Sequence, residues 1–144
     1  MGGEVLQLSA LGEAHLHAGR LEEASPLAAR ALEHARTYQQ RGREAYALRL
    51  LGDIALQRHP PEVTQAEASY RQALALAEEL GMRPLVAHCH FGLGSLSFKM
   101  GQPEPARAAL GAAIDLYRAM EMPFWLTRAE AALAQVVKED EGHV

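Results

Sequence analysis

Leu93-Gly94-Ser95-Leu96-Ser97-Phe98-Lys99-Met100-Gly101-Gln102-Pro103-Glu104-Pro105-Ala106-Arg107-Ala108-Ala109-Leu110-Gly111-Ala112-Ala113 carries the signal that decides the fold. A Leu-Gly pair leads to a Gly-Gln-Pro break, and beyond it comes the set Ala106, Leu110, Ala113: alanine, three residues, an apolar group, two residues, alanine. Both markers recur upstream. The pair stands again at Leu11-Gly12 and Leu51-Gly52, spacings of 40 and 42 residues, and the set at Ala24, Ala28, Ala31 and at Ala66, Tyr70, Ala73. Self-similarity at such a period marks a repeat array in which each unit is one supersecondary element.

The breakers between the markers split each unit into two helical stretches. They are Gly19-Arg20, His59-Pro60-Pro61 and Gly101-Gln102-Pro103, and further breaks at Arg41-Gly42, Gly81 to Pro84 and Met122-Pro123 separate the units. The spacing predicts seven helices, over 4–18, 21–39, 43–58, 62–80, 84–100, 103–120 and 123–138. They form three helix-turn-helix units over 4–41, 43–82 and 84–121, a capping helix over 123–138 and an acidic tail over 139–144 in which Glu139, Asp140 and Glu141 are solvated. The whole of 1–144 reads as a single domain, large enough to bury a core without staples. Gly12, Gly52 and Gly94 are placed to let the paired helix approach closely, and the alanines of each second helix to accept its ridges. Pro26 conflicts with this pattern, because inside a helix it removes the bond to Glu22 and crowds that turn; a kink or a later helix start would resolve it.

Composition agrees with an all-α chain. Hydrophobic residues make up 49% of the sequence but aromatic ones only 6%, so sheet-forming side chains are scarce. The formal charge of -4 gives no global attraction for nucleic acid or an anionic membrane. Residues 1–60 balance seven arginines against seven acidic groups, so the excess lies beyond them. The arginines Arg36, Arg41, Arg43 and Arg49 are interleaved with Glu33, Glu44 and Asp53, the pattern of a solvated face rather than a phosphate track. No apolar run approaches the roughly 18 residues of a membrane span, and the first residues lack the regions of a signal peptide. One cysteine, Cys89, excludes an internal disulfide and favours a reducing compartment, the cytoplasm.

These markers resemble the tetratricopeptide repeat, whose pattern runs large apolar residue, Leu-Gly, aromatic, turn glycine, then alanine, aromatic, alanine. The departures are His15, Ala55 and Ser97 in place of the first-helix aromatic, and retention of the second-helix aromatic only at Tyr70. The resemblance implies a right-handed superhelical solenoid of three such repeats with a capping helix. Units longer than those of the common repeat look like variants from large bacterial signalling regulators. Residues 80–94 and 117–126 look more closely like the C-terminal repeats of bacterial adenylate/guanylate cyclase proteins that carry a predicted ATPase. The resemblance implies two alternative functions: a non-catalytic scaffold that binds a peptide or helix of another protein, or a signal-relay segment of a larger cyclase or ATPase protein.

The resemblance places the binding surface on the first helices. In register it consists of Glu13 and His17, with Leu6, Ser9 and Leu16 beside them; then Tyr46, Arg49, Asp53 and Gln57, with Leu56; then His88, Phe91, Ser95, Phe98 and Lys99. The positions that grip a carboxylate in chaperone-binding relatives hold Ser9, Glu13, Leu50, His88 and Gly92, so a carboxylate would meet Glu13 instead of a cation. Val5, Leu6, Leu8, Leu11 and Leu16 spread apolar groups over more than one face of the first helix, which points to an interrupted array or to self-association of two copies through Leu6 and Leu8.

The residues that could carry chemistry are badly placed for it. In His88-Cys89-His90 the two histidines point about 200° apart around a helix and cannot close on one metal ion, and His15 and His17 fail alike. Cys89 as a nucleophile needs a base turned toward it, and its neighbours diverge. Gly92-Leu93-Gly94-Ser95-Leu96 lacks the final glycine of a nucleophile elbow, and no strand precedes it as a dinucleotide loop requires. The expectation is no catalytic site, no metal and no cofactor, with an enzyme working through Cys89 as the remaining third reading.

Overall fold

The computed structural model describes residues 2–142, with side chains from Gln7 to Gly142. Among the described residues it is all-helical: α1 (Gly2–His17), α2 (Leu21–Thr37), α3 (Arg41–Gln57), α4 (Val63–Leu80), α5 (Arg83–Lys99), α6 (Pro103–Ala119) and α7 (Pro123–Glu141). Helix number and order match the expectation from the repeat. The chain forms two compact units, Met1–Gly81 with α1 to α4 and Met82–Val144 with α5 to α7.

In the first unit α1 packs on α2, α2 on α3, α3 on α4, and α1 also touches α3. The cause is visible in the small residues. Ala24, Ala28 and Ala31 of α2 and Ala66 and Ala73 of α4 are fully buried, so each second helix meets its neighbours along a stripe with little side chain to hold them apart. Leu16, Leu50 and Ile54 close around Ala24 and Ala28. A Cβ on Gly52 would lie 2.9 Å from the ring of Tyr70, which makes that glycine a packing requirement.

The second unit repeats the device. α6 lies on α5 with Leu110 against Gly94, where a Cβ would come within 2.7 Å of the leucine. α7 then packs on α6 and touches α5. One cluster joins Ala87, Ala113, Ile114, Tyr117 and Ala129. Another joins Ala106, Leu110 and Val136, and Phe91 reaches both.

Four turns share one hydrogen-bond pattern. The N–H groups of Arg20, Gln40, Gln102 and Met122 donate to carbonyls five residues back, on His15, Ala35, Ser97 and Tyr117. The residue before each is left-handed: Gly19 and Gly101 as glycines, but Gln39 and Glu121 as side-chain-bearing residues, each at φ 54°.

Three local expectations need correction. The break placed at Arg41-Gly42 falls instead at Gln39-Gln40, and Arg41 and Gly42 open α3; no glycine marks that turn, so composition could not locate it. The tail is partly helical, since α7 runs to Glu141; Glu139 and Glu141 are exposed, whereas Asp140 accepts from Arg107 at 2.7 Å. Pro26 does not delay α2, which starts at Leu21 and continues to Thr37 with the proline inside it.

Candidate functional site

α1 and α3 turn the same kind of face toward each other's flank, with Ser9, Ala10 and Glu13 on α1 and Arg43, Tyr46, Arg49, Leu50 and Asp53 on α3. On both helices these residues recur at three- and four-residue spacing, so each set forms one face. Between them lies an open cavity of about 320 Å³. Ala10, Leu50 and the ring of Tyr46 give it an apolar lining, and Tyr46 is 47% exposed there.

A chain of polar contacts runs along the floor. Arg49 Nε lies 2.9 Å from Asp53 Oδ2, and its Nη1 stands 3.9 Å from Glu13 Oε1. Tyr70 of α4 donates its hydroxyl to the other oxygen of Asp53. Burial holds the Asp53 carboxyl above its ordinary range; Arg49 and the Tyr70 hydroxyl oppose that, while the charge of Glu13 adds to it and His17 counters. Both members of the Arg49–Asp53 pair are shielded from water, whereas the Glu13 side chain is half exposed. The groove is therefore electrostatically fixed at its floor and open at its Glu13 edge. Such an arrangement orients a bound chain by hydrogen bonds and charges while the apolar wall takes its side chains.

Of the residues assigned to the surface from the sequence, this groove brings together Glu13, Tyr46, Arg49 and Asp53. His17 and Gln57 are exposed one turn further on and do not line it. In the second unit His88 is half-buried, with Nδ1 2.6 Å from the Tyr117 hydroxyl and its ring edge-on to Trp125 at 4.5 Å. Phe91 is packed against α6 and α7, and Phe98 against Val136, so both serve the interior of that unit because α7 covers the face they share. Ser95 is half-buried and Lys99 exposed.

Leu8 requires a correction: it is 9% exposed and packs with Ala31 and Ala47, Leu27 and Leu32 beside it, so it is occupied within its own chain and cannot carry self-association. The side chain of Leu6 lies outside the described residues. Among the described residues of α1 the exposed large apolar group is Leu11, at 51%. Cys89 is fully buried, and among the described residues no three His, Cys, Asp or Glu side chains converge as metal ligands.

Sequence reasoning missed Arg43, which lies one turn before Tyr46 and could have been found by extending that face backward. It also did not single out Phe124, 63% exposed, with the Arg128 guanidinium 5.1 Å from its ring and 5.6 Å from that of Trp125. No described helix is long and apolar enough to cross a membrane. A family model described as the MalT-like TPR region matches residues 4–140. No curated protein matches the chain.

Proposed function

The chain belongs to the family of MalT-like TPR regions, and from that premise we propose that it is an interaction module whose α1–α3 groove holds a peptide or helix of another protein. The observation that supports this most is the groove itself: half-exposed Tyr46 above the ordered Arg49–Asp53 pair, in a cavity of side-chain dimensions. Aromatic and arginine groups over a shielded polar floor are the composition of an interface hot spot. His17 and Gln57 extend the proposed surface along α1 and α3.

Affinity capture from an extract of the source cells tests the reading, with wild-type chain compared with Tyr46→Ala, Glu13→Arg and an outward-facing control, Arg30→Glu. A discrete polypeptide retained by wild type and the control but lost with both groove variants is expected. Equal retention by all four chains would remove the groove from the function.

A second reading, a relay segment within a larger cyclase or ATPase protein, is supported by the family match to a repeat region and by the likeness of residues 80–94 and 117–126 to cyclase-associated repeats. An in-frame cyclase or ATPase domain encoded upstream of Met1 would favour it, and an in-frame stop codon immediately upstream would dispose of it.

A further inference from the structure

Among the described residues four arginines are half-buried: Arg43, Arg49, Arg58 and Arg107. Three of them each hold two carboxylates. Arg49 has Asp53 at 2.9 Å and Glu13 at 3.9 Å, Arg58 has Glu22 at 2.8 Å and Glu62 beside it, and Arg107 has Asp140 at 2.7 Å and Glu104 at 3.8 Å. Arg43 holds none, and no ion pair or hydrogen bond joins its side chain to any described residue. The charged residues nearest to it in sequence are turned elsewhere: Arg41 clasps Glu79 of α4 at 2.6 and 3.0 Å, and Glu44 meets Arg36 of α2 at 3.1 Å.

Arg43 lines the α1–α3 cavity. Arg49 follows it by six residues, about 9 Å along α3, and both acids of the cavity, Glu13 and Asp53, are drawn to Arg49. The formal balance of two arginines and two carboxylates in the lining therefore conceals a separation. Negative charge is in excess at the Glu13 end, and a cation without a counter-ion stands at the Arg43 end.

We infer that Arg43 receives the side-chain carboxylate of an aspartate or glutamate, so that the ligand of this groove is a peptide segment with one acid at the start of α3 and no second acid at Glu13. The inference rests on the reading of the groove as a partner site and adds the chemistry of the partner. A guanidinium stays charged and loses hydration on partial burial, a cost that an acceptor offsets. The chain supplies that acceptor at its three other half-buried arginines and leaves it to be supplied at this one. Arg43 is the third residue of α3, so the positive end of the helix dipole favours the same anion. Tyr46, one turn further on, presents its half-exposed ring to the residue beside the acid. A phosphate fits less well, because it carries close to two negative charges and would share the cavity with Glu13 and Asp53.

Random peptides displayed on phage and selected on the full chain supply the probe, each then synthesised with both ends capped so that no terminal carboxylate is present. Peptides whose binding is lost with Tyr46→Ala are expected to share one Asp or Glu. Replacing that acid by its amide is expected to weaken binding to wild type by about tenfold or more, and to leave the weaker binding to Arg43→Gln unchanged. Arg43→Glu is expected to prefer the same peptide with Lys in place of the acid. Tyr46-dependent peptides that share no acid would overturn the inference and leave the groove as a partner site. So would an acid that contributes as much on Arg43→Gln as on wild type. Selection that yields no peptide sensitive to Tyr46→Ala would instead remove the groove reading and this inference with it. Tighter binding of a phosphoserine in place of the acid would assign Arg43 to phosphate and overturn the carboxylate.

Discussion

Gly94 and Gly111 lie on packed helices, yet alanine at the two positions acts in opposite directions. An added Cβ at Gly94 meets Leu110 at 2.7 Å and its backbone nitrogen at 3.2 Å, whereas one at Gly111 meets nothing within 4 Å. Replacing helical glycine gains about 1 kcal/mol, and overpacking costs about 1–3 kcal/mol. Gly94→Ala should therefore destabilise the chain by about 1–2 kcal/mol and Gly111→Ala stabilise it by up to about 1 kcal/mol; urea unfolding of the two variants checks both signs. Asp53 offers a second test. Burial raises its carboxyl above the ordinary value, so the folded chain binds this proton more tightly than the unfolded one. The stability linked to Asp53 is then complete below the ordinary carboxylate value, about pH 4, and is lost as pH rises through the raised one. Asp53→Asn should flatten that decline, and unfolding midpoints measured from pH 4 to pH 7 should show wild type losing ground to the variant.

Element by element, the strongest constraints are at the turns. Gln39 and Glu121 hold left-handed conformations that glycine holds at 19 and 101. A side chain there costs about 1–2 kcal/mol, so Glu121→Gly should raise stability by about 1 kcal/mol and the thermal midpoint by a few degrees. The turns also explain what was legible. Leu-Gly pairs, alanine sets and glycine or proline breaks located all seven helices, because those small residues are where backbones touch. The Gln39 turn was not legible, since the backbone adopts it in spite of the residue rather than because of it. The end of α7 was hidden similarly: Asp140 looks like part of a solvated tail until Arg107, distant in sequence, pairs with it. Pro26 shows propensity yielding to packing, with Ala24 and Ala28 buried on either side of it.

For the molecule as a whole, the repeat decides where surfaces are open. Within the first unit Glu13, Tyr46, Arg49 and Asp53, which share the register, line one groove. Within the second the register placed Phe91 and Phe98 on the same nominal face, and α7 packs over them. Position within a repeat is readable from sequence, but its occupancy depends on the packing of the next helix along the chain, and a single unit does not contain that information. The functional claim rests on the groove that stays open. A photo-crosslinking residue introduced at position 46 tests it most directly, with the same residue at position 30 as the outward reference. The account predicts a discrete crosslinked partner from position 46 alone, lost with Glu13→Arg. Identical products from both positions, or none from position 46 while a partner is still retained, would contradict it.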